Sequence, residues 1–191
     1  VFLHGWGANS VFPLLGAFRM AAVALSLGIP FSLVLITAAI PAESLSVGAI
    51  ITSQEGVWNV LRQPLGLPVY LITALGFSFW GPLQMPDGAD LAGGTSAEVS
   101  GTAFLVWRIA RAAILVALAA MGAAAFLGGY LGPWLPGWLW MFVKTMGLAA
   151  LMIWSGHRIA RARMESVVFL GWVILLPVAL VDVFVSGALT L

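Results

Sequence analysis

The chain has 191 residues, of which 62% are apolar and only 8% charged, and its mean hydropathy is +1.08. Soluble domains carry about one-quarter charged residues, so this composition excludes a water-coated globule and fits a surface that faces lipid. Eight basic and seven acidic residues leave no basic patch for nucleic acid. The lack of Cys removes disulfides, thiolate catalysis, iron–sulfur ligation and Cys-based zinc sites.

The sequence opens at Val1 with no basic stretch ahead of an apolar core, so no signal peptide is expected. Its first residues read as the tail of a helix, and the whole as a piece of a longer protein. Met20 to Ala42 is free of charge, which predicts a first full span over about 11–40. Pro30 should kink it and Pro41 should stop it. A loop follows, with a short interfacial element over 44–53. A second, short span is expected over about 64–80. Its ends are blurred by Gly66, Pro68 and Gly76.

Segment 81–101 is the long polar stretch, with Asp87, Asp90, Glu98 and five glycines. A third span is expected over about 102–127. An aromatic turn over 128–137 follows, where Trp134, Trp138 and Trp140 suit a membrane interface. The fourth and fifth spans are expected over about 138–155 and 166–189. The predicted fold is therefore all-α, a polytopic transmembrane bundle of about five full spans plus the end of a preceding helix. It forms a single membrane domain over 1–191.

Basic residues in short loops set orientation. Arg158, Arg161 and Arg163 crowd the connection between the last two spans, so that edge should face the cytoplasm or the mitochondrial matrix. Counting spans backwards places segment 81–101 on the same side, with Arg19, Arg108 and Arg111 toward it and Arg62 alone opposite.

Ionisable groups inside a span cost roughly 2.5–3.5 kcal/mol each by insertion scales and normally face the bundle interior. Lys144 and Asp182 fall at similar depth in the last two spans, which predicts an ion pair between them. Arg108 and Arg111 share a helical face. They either snorkel to the interface or bind an anionic lipid head group or line a hydrated cavity. His4 and His157 lie far apart and make no metal motif, and the Trp and Phe residues read as lipid-facing packing.

Short segments recur in one order along almost the whole chain: VFLHGWGANS at 1–10, LLGAFR at 14–19, and VYLI at 69–72 ahead of Pro82, Pro86 and Asp87. Gly93, Gly94, Glu98, Ser100 and Gly101 follow, then FLGGY at 126–130. After these come WLW at 138–140 with Lys144, then Arg161, Arg163 and Glu165, and GW at 171–172 with LLP at 175–177. In this order and spacing the chain resembles the H subunit of NADH-quinone oxidoreductase. That is the respiratory complex I membrane subunit called subunit 1 in mitochondria, and membrane-bound hydrogenases carry a related subunit. The matched patterns are GWxSxS, LLGxLR, ARTPFDLPEAE, GGYHTEYSG, LFLGGW, WxxxK, RxRYDQ and GWKxLLPL. The resemblance covers the later part of the family's length.

The resemblance implies a multi-pass subunit of a bacterial inner membrane, or a mitochondrial inner membrane, within a translocase of the electron transport chain. It implies a place where the peripheral and membrane arms meet, helping to wall a quinone cavity. The implied partners are the other membrane and peripheral subunits and the lipid bilayer. No cofactor is expected to bind this chain directly, and any quinone would lie at the interface with partner subunits. Asp87, Asp90 and Glu98 are the candidate loop contacts. Arg19, Arg161, Arg163 and Glu165 are candidates for partner or lipid head-group contacts. Each of these is equally readable as a solvated loop charge.

The family's glutamates are largely replaced. Gly28 stands at the position of the glutamate in SYE, Phe77 at that of the glutamate upstream of RTPF, and Trp80 at that of the arginine of RTPF. Arg111 stands at the glutamate of AEY. A proton relay needs carboxylates of tunable pKa. Phe and Gly hold no proton, and Arg stays charged. The chain is therefore not expected to conduct protons by the family's glutamate path. The second reading is a divergent structural paralogue without redox or proton chemistry. A small independent transporter would carry an internal repeat around broken helices, and none is found. The chain has no nucleotide fingerprint or redox ligand set, so catalysis by it alone is not expected.

Overall fold

In the computed structural model residues 1–190 are described, and Leu191, the end of the domain expected over 1–191, lies outside them. Among the described residues every regular element is helical. The reason is the solvent: in lipid a helix satisfies its own N–H and C=O groups, and an open strand cannot.

After α1 (Phe2–Gly7), helix α2 (Val11–Ala39) runs for 29 residues. It stays helical through Pro30, so the lost hydrogen bond is absorbed without ending it. A 3-10 turn at Ile40–Ala42, containing Pro41, closes it. Two short helices follow, α3 (Val47–Thr52) and α4 (Asn59–Arg62), then α5 (Gly66–Ser78). The polar segment 81–101 is built from three 3-10 turns, at Gly81–Leu83, Ala89–Leu91 and Gly94–Ser96. Helices α6 (Gly101–Phe126) and α7 (Gly137–Arg158) form the next hairpin. The last span joins α8 (Met164–Phe169), a π-helical stretch Leu170–Leu175, and α9 (Leu176–Thr190).

That π stretch ends just ahead of Pro177. Proline has no N–H to return to residue 173, and its ring crowds that carbonyl, so widening the preceding turn keeps the span continuous. Gly171 lies within it, and a Cβ there would sit 2.6 Å from the carbonyl oxygen of Ser26, so this glycine lets the last span close on α2.

Among the described residues, four helices are long and apolar enough to cross a membrane: Val11–Ala42, Gly101–Phe126, Gly137–Arg158 and Met164–Ala188. The second of the five expected spans is the 13-residue α5. At 1.5 Å per residue it covers about 20 Å of a core about 30 Å thick. Helix α2 is central, with α1, α5 and α9 packed on it. Helix α5 bridges α2 to α6, and α6 carries α7. Tyr70, Phe126, Leu27, Val23 and Val34 fill the centre.

Candidate functional site

The polar segment 81–101 is tied down on three sides. On α2, Gly16 leaves room for it: a Cβ at that position would lie 2.6 Å from the Pro86 carbonyl oxygen and 2.8 Å from the Thr95 nitrogen. On α7, the backbones of Gly81 and Gly156 nearly touch, and a Cβ on Gly81 would lie 2.9 Å from the Gly156 Cα. Between α7 and α8, Ala162 N–H donates to the Pro82 carbonyl at 2.9 Å. Thr95 N–H donates to Pro86 within the segment at 3.2 Å.

This frame holds two charge clusters. The first is buried. Asp87, 8% exposed, accepts from the Thr95 hydroxyl through Oδ1. Its Oδ2 accepts from Trp107 Nε1 at 3.3 Å and lies 3.0 Å from Arg111 Nη1. Arg111 Nη2 donates to the Phe79 carbonyl at 2.5 Å. The His4 ring stacks on Trp107 with centroids 4.6 Å apart, which brings α1 to the same place.

The second cluster is half-exposed. Asp90 accepts from Arg19 Nη1 at 2.5 Å through one carboxylate oxygen, and from Arg161 Nη1 through the other. The hydrogen bond from Arg19, reinforced by Arg161, holds the Asp90 carboxyl below the usual carboxylate range. Arg19 belongs to α2, and Arg161 to the α7–α8 connection, so one loop carboxylate joins two distant parts of the chain. A cavity of about 300 Å³ beside it is lined by Arg19, Asp90, Arg161 and Arg163. Arg163 precedes α8, and Glu165 lies in its first turn, where a carboxylate suits the positive end of the helix. Glu98 stands apart, accepting from the Ser10 hydroxyl at 2.8 Å.

Residues 1–187 match the family described as NADH dehydrogenase. The chain belongs to the NADH dehydrogenase family. It is 34% identical to an NADH-quinone oxidoreductase H subunit of Geobacter metallireducens over 188 residues, 98% of this chain and 57% of that protein. It is 33% identical to the H subunit of Syntrophotalea carbinolica, over 98% of this chain and 57% of that protein. Against an H subunit of Rhodopseudomonas palustris the figures are 32%, 98% and 59%. The chain thus spans a little over half the length of these relatives.

In this member of the NADH dehydrogenase family the expected Lys144–Asp182 ion pair does not form. The expectation assumed that consecutive spans are neighbours, but α7 packs on α6 whereas α9 packs on α2 and α5. Lys144 is buried and donates to the carbonyls of Leu127 at 2.5 Å and Leu131 at 2.7 Å. Its ammonium sits 4.4 Å from the Trp58 ring centroid and 5.4 Å from that of Trp140. It therefore caps the carbonyl end of α6. Asp182, 3% exposed, turns toward α5, where a Cβ on Gly66 would lie 3.1 Å from its Oδ2. That oxygen has no hydrogen-bond partner.

Arg108 and Arg111, read as a pair, divide their roles. Arg111 is half-buried and engaged with the loop, whereas Arg108 is exposed, its guanidinium 6.0 Å from the Phe104 ring. Among the described residues no three His, Asp or Glu side chains gather as a metal site.

Three amides escaped the sequence reading. Gln54 Nε2 donates to the carbonyls of Ile50 and Ala124, at 2.9 and 3.0 Å, and its Oε1 accepts from Gly128 N–H at 2.9 Å. Asn59 Nδ2 donates to Ala38 at 3.1 Å and Ala125 at 2.9 Å. Gln63 Nε2 donates to Thr37 at 2.9 Å and the Ser186 hydroxyl at 2.7 Å. Helix ends leave carbonyls unpaired, and a membrane edge offers little water to satisfy them. These amides satisfy the last turns of α2 and α6. The signal was present as amides at 54, 59 and 63, in the connection between the first two expected spans.

Proposed function

We propose that this chain is an H-type membrane component of a respiratory NADH-quinone oxidoreductase assembly, seated in a bacterial inner membrane. In this reading segment 81–101 and the α7–α8 connection form the cytoplasmic face that meets the peripheral arm. The observation that carries it is the Arg19–Asp90–Arg161 clamp: a charged loop fixed to α2 and to the α7–α8 connection at one membrane edge, in a chain about one-third identical to H subunits of such oxidoreductases. A fixed, half-exposed charge array favours a protein partner, because the cost of ordering it is met before the partner arrives. Asp90, Arg163 and Glu165 are the proposed contacts, and the chain's part in any quinone cavity is to supply wall rather than cofactor ligands.

A second reading is favoured by the groups at the family's carboxylate positions. Gly28, Phe77 and Arg111 carry no transferable proton, so we propose that proton transfer does not follow the usual glutamates through this chain. A divergent paralogue that only holds an assembly together meets the same description.

Affinity purification of the tagged full-length protein from its native membrane, with its copurifying chains identified, separates the two. Flavin and iron–sulfur subunits in stoichiometric yield support the first reading, and a complex without redox subunits supports the second. Asp90→Lys should release peripheral subunits while the membrane chains stay together. Unchanged composition in that variant would remove the proposed docking face.

A further inference from the structure

Beside the loop clusters lies a cavity of about 360 Å³ that shares Arg111 with the buried cluster. It opens at the same membrane edge, between the loop-side half of α6 and the end of α7, with Trp80, Gln84, Arg108, Arg111 and His157 in its wall. Its size falls within the range of about 300–1,000 Å³ typical of ligand sites. Two guanidiniums and an imidazole line it, and no carboxylate does. Asp87 is the carboxylate that reaches this wall, by way of Arg111 Nη1, and it is shared with Thr95 and Trp107. Arg111 Nε is buried with no hydrogen-bond partner, and the Arg108 side chain is exposed. The site therefore has donors and positive charge in excess.

The surroundings say what kind of anion enters. Leu105, one turn from Arg108 on the same face of α6, is exposed, as are Ile109 and, one turn before His157 on α7, Trp154. The charged wall thus runs directly onto bare apolar helix. That is the arrangement of a lipid, with a head group at the membrane edge and chains along the spans. We propose that this cavity binds the phosphate head group of an anionic phospholipid, with Arg108 and His157 as its principal donors and Arg111 closing its inner wall. The inference is independent of the partner reading above.

Residues 1–191 contain no Cys, so a thiol introduced among them is read on its own peptide and reports on the cavity. The Gln84→Cys variant of the full-length protein is reconstituted in phosphatidylcholine vesicles, and separately in 3:1 phosphatidylcholine:phosphatidylglycerol vesicles. Its modification rate by uncharged N-ethylmaleimide is read by peptide mass spectrometry. An Ala160→Cys variant at the same edge corrects for surface pH. Phosphatidylglycerol should slow the cavity thiol relative to the control about five-fold, the factor that one basic residue is worth at an anionic surface. Adding Arg108→Gln should abolish most of the protection, and Arg108→Lys should keep most of it. Arg111 is left intact because it holds the loop. No protection by phosphatidylglycerol, or equal protection in Arg108→Gln, overturns the site. Equal protection by 50 mM inorganic phosphate in phosphatidylcholine vesicles overturns the lipid assignment in favour of a soluble anion.

Discussion

Asp87 and Arg111 stand 24 positions apart in the sequence and 3.0 Å apart in space, and through them the polar loop grips the exposed half of α6. Over its first half this helix shows no fully buried residue. The pair is therefore the specific anchor of a helix that packing does not hold there.

Removing one partner of a largely buried ion pair leaves the other uncompensated, at a cost of about 3–5 kcal/mol. Arg111→Leu and Asp87→Leu should each expose segment 81–101 to limited proteolysis and lower the thermal midpoint. The double variant should be markedly less damaged than the sum, since neither charge is then stranded. Strict additivity in the cycle would show that the pair contributes no coupling.

The Asp90 clamp should respond to solution conditions in a different way. Its carboxyl is held below the usual range by Arg19 and Arg161, so the folded state favours the charged form. The associated stability is present above the unfolded carboxyl pKa of about 3.9 and is lost as pH falls below it through the folded value. Proteolytic protection near Asp90 should therefore be flat from neutral to mildly acidic pH and fall only in strong acid, an effect absent in Asp90→Asn. Because Asp90 is half-exposed, high salt should weaken this clamp. Protection near the buried Asp87 should change less.

Lys144 and Asp182 should behave as strangers. Lys144→Met strands the carbonyls of Leu127 and Leu131, at about 1–3 kcal/mol for each group left unsatisfied. Asp182→Asn should be neutral or stabilising, since it removes a buried acid with an unpartnered oxygen. Their double variant should be additive within about 0.5 kcal/mol. A larger coupling energy in thermal unfolding would restore the ion pair that span order alone suggests.

Gly16→Val should lift the loop off α2, because its side chain has no space beneath Pro86 and Thr95. The measurable outcome is faster hydrogen exchange at Thr95 N–H, which donates to Pro86. Unchanged exchange there would mean that the loop is held by its charges alone.

Much of the architecture could be read from charge-free runs. Such a run in lipid has one backbone solution, so the boundaries of α2, α6 and α7 follow within a few residues. Which spans touch was not legible. Neighbour choice depends on where small residues let backbones close, as at Gly171 against Ser26 and Gly81 against Gly156, and these pairings cross long stretches of sequence. The same gap explains Lys144: its depth was readable, but its direction depends on a turn that folds back over it. The candidate charges of the loop were legible as residues, whereas their division into a buried pair and an exposed clamp emerged only from the tertiary contacts.

The amide caps and Lys144 fasten α6 at its far end, while its loop-side half projects with little support. Mechanically this is a cantilever. A push on the loop reaches the beam at Arg111, well away from the fixed end, so small displacements there bend the free half about that end. Whatever leans against the loop would thus move the near half of this helix and leave its fastened end in place.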